Sequence, residues 1–375
     1  MKLYPFALER WQSTYENQVE YNLAESGVHP LRLDEILDGE AADLLAQKLG
    51  YSQTNGTREL RKLITGLYPG SSEDDILVTN GSSEAILVSL LSFLDRGAEV
   101  AVMCPNYMST WGLAKMFETN VRPFWLRERQ GRWALDTSGL RKAVSKRTRL
   151  IAICNPNNPT GAVLNEDEID QICEIAKKVG AWVLSDEAYR GAELNGKETS
   201  SLWSRYRKTI VTSGLSKAYA LPGLRIGWVA AKDRATKLWA YHDYTTIGPG
   251  AINDFLARKA LQPEKRARII ERTRSLLQAN LPIITSWIEG QQDYLSFIAP
   301  KAGAIAYVNY SLRISSMKLA NRLLTEKNTL VVPGQHFRMG RYLRIGYGGM
   351  REQLEAGLQR IGEMLASLRA TSDRG

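Results

Sequence analysis

Leu215-Ser216-Lys217-Ala218-Tyr219-Ala220-Leu221, continued by Pro222-Gly223-Leu224-Arg225-Ile226-Gly227-Trp228, sets a lysine eight residues ahead of an arginine with a Pro-Gly step between them. That step turns the backbone. An amine that can form an imine is thereby brought into reach of a guanidinium suited to an anionic ester. Taken alone, the stretch equally describes two surface cations around a turn. Three other segments change its meaning.

Between Ile76 and about Val229, short apolar runs rich in β-formers alternate with amphipathic stretches of helical length. The runs Ile76-Leu77-Val78-Thr79, Val100-Ala101-Val102-Met103, Leu150-Ile151-Ala152-Ile153, Trp182-Val183-Leu184 and Thr209-Ile210-Val211-Thr212 read as strands. Their near-continuous hydrophobicity suits a sheet covered on both faces. Helices over 83–94 and 166–178 supply that cover, so the expected fold is an α/β domain with a mostly parallel central sheet. Beyond Pro263 the pattern changes: a long helix runs towards Glu289, strands follow at 304–308 and 342–345, and a helix closes over 352–368. This predicts a second, smaller α+β domain, packed against the first because no linker or repeat intervenes.

Ligands in open α/β sheets bind outside the carboxyl ends of the strands, and the three other segments fall there. Asn80-Gly81-Ser82-Ser83-Glu84 opens a helix, whose free N–H groups and positive dipole end can hold a phosphate. The alternative is a simple cap with Ser82 or Ser83. Asn155-Pro156-Asn157-Asn158-Pro159-Thr160-Gly161 is a loop whose two prolines fix a sharp turn and leave amides exposed. Ser185-Asp186-Glu187-Ala188-Tyr189-Arg190-Gly191 puts a carboxylate at a strand end with a phenol three residues on. Asp186 could cap the next helix instead. An amine, an anion cup, an amide, a phenol and a carboxylate able to hold a pyridine nitrogen protonated are together what pyridoxal 5′-phosphate requires.

These segments resemble, in order, the class I and II aminotransferases of the aspartate aminotransferase superfamily, the type I fold of pyridoxal-phosphate enzymes. The resemblance runs from the Tyr51 region to the C-terminal helix. It implies a large cofactor-binding domain over 46–279, and a small domain with an N-terminal arm made of 1–45 and 280–375. It implies that Lys217 carries the cofactor as a Schiff base, that Asp186 partners the pyridine nitrogen, and that Asn158 and Tyr189 contact the phenolic oxygen. Gly81, Ser82, Ser83, Ser216 and Arg225 would bind phosphate, and Tyr107 would stack on the ring. Tyr51 resembles the tyrosine that reaches the phosphate of a neighbouring subunit, which implies a homodimer with shared active sites. Arg344, with Asn158 and Gly27, would bind the substrate, the arginine gripping its α-carboxylate with a bidentate fork. Many relatives carry Ser or Thr three residues before the lysine, where this chain has Gly214; Ser216 or Ser213 is expected to supply the missing contact.

The catalytic set is then Lys217, Asp186 and Tyr189, and the expected reaction is transfer of an amino group between an L-amino acid and a 2-oxo acid. Lyases, decarboxylases and cyclases share the scaffold. The stretch Glu25-Ser26-Gly27-Val28-His29, with the lysine and arginine segments, is similar to the capreomycidine synthase branch, which eliminates and cyclises a hydroxyarginine; His29 would then belong to the site. Trp11, Tyr15, Glu25 and His29 are candidates for the entrance. A third reading is a non-catalytic sensor fused to a DNA-binding head, which the short stretch before Tyr51 disfavours.

Bulk properties exclude several other classes. The chain has 375 residues and a formal charge of +9, but acids are interspersed with its cations, as in Glu264-Lys265-Arg266-Ala267-Arg268, so no nucleic-acid partner is expected. Three cysteines and three histidines, all dispersed, give no disulfide framework and no metal motif. No apolar run is long enough for a membrane span or leader peptide, and a cytoplasmic location is expected.

Overall fold

The computed structural model describes residues 2–372. An eight-stranded sheet takes the order 76–79, 227–231, 209–214, 182–186, 148–154, 99–104, 120–129, 132–135. The five strands from 209–214 to 120–129 are mutually parallel. Strand Gly227–Ala231 is antiparallel to both of its neighbours, so Ile76–Thr79 and Thr209–Gly214 end at the same edge. The hairpin from Asn120 to Leu135 closes the far side.

Alternation along the strands explains why both faces are apolar. Val100, Val102, Leu150, Ala152, Leu184 and Ile210 face one core with the helices Ser82–Leu91, Ser109–Met116 and Ala235–His242. Ala101, Met103, Ile151, Ile153, Val183 and Val211 face the other, covered by Arg58–Thr65, Glu166–Val179 and Ala251–Ala260. The Val, Leu, Ile and Met side chains among them gain about 1.5–3 kcal/mol each on full burial. The covering helices also carry local signals. Asn165 accepts from the Glu168 N–H while Glu168 accepts from the Asn165 N–H, a capping box that starts Glu166–Val179, and Gly180 ends that helix in the left-handed region.

A separate four-stranded antiparallel sheet, in the order 295–297, 305–310, 342–346, 332–333, lies with the helices Ser316–Lys327 and Arg351–Ser372. The helix Pro263–Glu289 is continuous and contains Pro282. Near the N-terminus, Ala7–Tyr15 is helical, and Tyr21–Asn22 pairs in parallel with Thr329–Leu330. The Trp11 indole N–H donates to the Val331 carbonyl at 2.9 Å, fastening this first helix to the smaller sheet's region. No helix among the described residues is long and apolar enough to cross a membrane.

The sequence-predicted strands and helices are present, with ends moved by a few residues. The hairpin strands Asn120–Arg129 and Arg132–Leu135, the second of them at the sheet's edge, were not expected. In Asn120–Arg129 only Val121, Phe124 and Leu126 are buried, and Arg132–Leu135 is short, so neither resembles the central apolar runs.

Candidate active site

A cavity of about 300 Å³ opens at the carboxyl ends of the central strands and beneath the N-terminal helix. Its walls include Ser82, Ser83, Tyr107, Asn158, Asp186, Tyr189, Ser216, Lys217 and Arg225. Each ends or follows a strand of the large sheet, so segments far apart in sequence converge because parallel strands end together.

Lys217 stands in the bend after strand Thr209–Gly214. Its Nζ donates to Ser26 Oγ at 3.0 Å and to Glu25 Oε1 at 3.2 Å. Burial would lower its pKa, but the Glu25 carboxylate and Tyr189 outweigh that and hold it above the ordinary lysine value. The Lys217 charge in turn is the main reason the Glu25 carboxyl falls to about 2. Glu25 Oε1 also accepts the Ser26 and Gly27 N–H groups at 2.8 Å each.

Asp186 is the last residue of its strand. Its Oδ1 accepts the Ala188 N–H at 3.1 Å, and burial pushes its pKa up to about 6. Strand alternation separates it from Glu187, which turns away to accept Ser201 Oγ and the Leu202 N–H and is buried there. Burial also raises the Tyr189 phenol, whose oxygen receives Asn158 Nδ2 at 3.4 Å. Asn158 Oδ1 accepts Arg344 Nη1 at 3.0 Å. Arg344 is 1% exposed. Its Nη2 donates to Gln12 Oε1 and the Ala24 carbonyl, and its Nε has no partner among the described residues. It therefore stands one layer behind the cavity wall. The Tyr107 hydroxyl donates to Glu9 at 2.7 Å.

The floor of the cavity is shaped by close backbone approach. Gly81 caps the helix Ser82–Leu91 with φ +87°, and a Cβ there would lie 2.3 Å from Arg225 Nη2. Arg225, itself left-handed at φ 47°, follows the turn Pro222–Leu224 and donates to Ser216 Oγ at 3.3 Å. At Gly214 a Cβ would meet the Ile226 carbonyl at 2.9 Å and the Ser82 nitrogen at 3.5 Å, so the glycine leaves the helix end open. Ser213, one of the two serines expected to make up for Gly214, turns its hydroxyl to the Glu187 carbonyl. Of the two serines proposed for that contact, only Ser216 lines the cavity.

Several expected residues lie elsewhere. Tyr51 is 96% exposed and borders another concavity, with Thr54 and residues 246–253. Gly27 packs beside the Lys217 stem, but its N–H is taken by Glu25. Trp11 is buried and Tyr15 packs on it, so neither lines the entrance; His29 is exposed and edges a smaller cavity with Glu25 and Gly27. Sequence reasoning missed Glu9, Gln12, Glu16, Ser26 and Ile86, which also line the main cavity. Glu9, Gln12 and Glu16 follow helical spacing and share one face, a signal that was present in the sequence.

An unpaired carboxyl held near pH 6, an amine within the same cavity, and an open helix end with an arginine across a glycine fit a ligand that is anionic at one end and a protonated base at the other. A type I fold enzyme of pyridoxal 5′-phosphate is the class that this sheet, these strand ends and this donor set define. The sequence profile of aminotransferase class I and II matches residues 33–361, and the chain belongs to that family. It is 28% identical to the capreomycidine synthase of Streptomyces vinaceus over 96% of this chain and 93% of that one. The crystal structure of a PLP-dependent aminotransferase from Streptococcus suis 89-1591 superposes with a TM-score of 0.91 at 34% identity, covering 98% of this chain and 99% of that chain. The PLP-dependent cyclase OrfR superposes with a TM-score of 0.88 at 27% identity, covering 98% of both chains.

Proposed function

We propose that the chain is an aminotransferase that moves an amino group between an L-amino acid and a 2-oxo acid. The observation that carries the reading is the single cavity that holds the Lys217 amine, the Asp186 carboxyl and the Asn158–Tyr189 pair. Pyridoxal 5′-phosphate supplies an electron sink for charge developing at the substrate Cα. Lys217 would be its covalent anchor, and with its nitrogen free would take the proton from the substrate Cα at Nζ. Ser26 and Glu25 steady that nitrogen.

Asp186, at about 6 without a partner, is ionised when a ring N–H lies against it and keeps that nitrogen protonated. Asn158 and Tyr189 offer donors to the phenolic oxygen, and Tyr107 offers a ring face. Gly81, Ser82 and Ser83 at the helix end, with Ser216 and Arg225, hold the phosphate. Arg344 grips the substrate α-carboxylate by exchanging its bond to Gln12, while Asn158 and the Gly27 backbone flank it. Tyr51, exposed on this chain, reaches the phosphate of a second copy, which makes the working unit a homodimer with shared sites. The proposed division is a cofactor-binding part over 46–279 and a smaller part made of 1–45 and 280–375. Its second boundary falls inside the helix Pro263–Glu289, near Pro282.

Elimination or cyclisation is the second reading, supported by the likeness to capreomycidine synthase and to the cyclase OrfR, and the cavity's outer wall bears on its substrate. Glu9, Glu16 and Glu25 line it, and burial with the charges of Glu25 and Glu9 raises the Glu16 pKa. When Lys217 is engaged, Glu25 loses its counter-ion, so this wall favours an amino acid with a cationic side chain. A screen of amino acids against the cofactor-loaded protein separates the two readings. Bleaching of the cofactor band that a 2-oxo acid restores supports amino transfer; product release without such bleaching supports the second reading.

A further inference from the structure

Glu84 is the third residue of the helix Ser82–Leu91, whose first turn forms the anion cup, yet it does not line the cavity. It is 8% exposed. A free carboxylate there would compete with a phosphate for the positive end of the helix. Its oxygens are engaged instead. Oε2 accepts the Asn80 N–H at 2.5 Å and lies 3.1 Å from His242 Nε2; Oε1 accepts the Thr246 hydroxyl at 2.8 Å. Burial alone would raise its pKa, but the bonds from His242, Thr245, Asn80 and Thr246 hold it at about 2.

The same residues fasten the turn from outside. Asn80 Nδ2 donates to Thr246 Oγ1 at 2.6 Å and to the Gly248 carbonyl at 3.2 Å. Gly248 lies against the Thr54 backbone so closely that a Cβ would stand 2.9 Å from Thr54 Cα. His242 is fully buried, so this pairing is fixed within the fold. The turn that needs fixing is Gly81, whose positive φ aims the Ser82 and Ser83 N–H groups.

We propose that Glu84 is a positioning residue for the phosphate cradle: through Asn80, Thr246 and His242 it locks the turn at Gly81, so that the helix end and Arg225 meet the phosphate at one point. This rests on the proposed reading of Gly81, Ser82, Ser83 and Arg225 as phosphate ligands. A cradle device acts on the phosphate and not on the ring, and the experiment reads that difference.

Dissociation constants for pyridoxal 5′-phosphate and for pyridoxal, which lacks the phosphate, are measured on the cofactor-free full chain, on Glu84→Gln and on Thr246→Val. Glu84→Gln keeps the shape but leaves one acceptor oxygen. It is expected to weaken the phosphate ester about tenfold, the scale of a lost helix-end bond, and to leave pyridoxal within about twofold. Thr246→Val is expected to act in the same direction with smaller effect, and it decides alone if Glu84→Gln does not fold. Equal weakening of both ligands, or an unchanged ester constant, overturns the role of Glu84. A wild-type protein that binds the ester no more tightly than pyridoxal overturns the cradle reading itself, and this inference with it.

Discussion

Asp186→Asn is expected to stabilise the cofactor-free protein above pH 6 and to leave it unchanged near pH 4. Burial lifts the Asp186 carboxyl from an ordinary 3.8 to about 6, with only the Ala188 N–H and the Lys217 charge opposing the rise. The folded protein therefore holds this proton more tightly than the unfolded chain does. Between about pH 4 and pH 6 the native state binds more protons, so wild-type stability falls as pH rises through that window. The penalty is complete above about pH 6, and the gap between 3.8 and about 6 corresponds to about 3 kcal/mol. Asparagine keeps the acceptor for the Ala188 N–H and carries no charge, so its stability lacks this dependence. Urea denaturation of both cofactor-free proteins from pH 4 to pH 8 measures it. The variant should gain up to about 3 kcal/mol at pH 8. A difference between variant and wild type that does not change with pH would refute the claim that this carboxyl is desolvated and unpaired.

Glu25→Gln removes the charge that holds Lys217 above the ordinary lysine range, so the amine loses its proton at lower pH. Cofactor incorporation into the cofactor-free variant at pH 8 should be severalfold faster, followed by absorbance; an unchanged rate counts against the ion pair. Gly214→Thr forces a Cβ against the Ile226 carbonyl and the Gly227 Cα and should cost about 1–3 kcal/mol in denaturation, without tightening the cofactor. Tyr51→Ala and Lys217→Ala chains, each low in activity alone, should regain activity when unfolded and refolded together, because a mixed dimer contains one site intact in both residues. No gain in the mixture would argue against a site shared between copies.

Much of the large sheet was legible because central parallel strands are buried on both faces and read as unbroken apolar runs, such as Leu150-Ile151-Ala152-Ile153. The residues after those runs converge for the same reason, which brings the Asp186, Asn158 and Lys217 segments together, while the choice of Asn158 within its loop came from the resemblance. The hairpin Asn120 to Leu135 was not legible: Arg122, Glu128 and Arg129 face solvent, and an edge with one wet face breaks the run. The Glu9 and Glu16 part of the acidic wall was missed because its meaning is tertiary. The helix Ala7–Tyr15 looks like any amphipathic helix until Trp11 pins it near Val331 and turns Glu9, Gln12 and Glu16 towards Lys217. Ser213 and Ser216 both lie within two residues of Gly214. Only the pleat, which turns Ser213 to the Glu187 carbonyl, separates them.

Every proposed role in the cavity follows from the Lys217 nitrogen being the cofactor's covalent anchor. Borohydride reduction of the cofactor-loaded protein, followed by proteolysis and mass spectrometry, tests it at the level of the atom. The reduced cofactor is expected on the peptide containing Ser216-Lys217-Ala218, with no adduct on a Lys217→Ala chain treated in the same way. An adduct on a different lysine, or none on the wild-type protein, would contradict it.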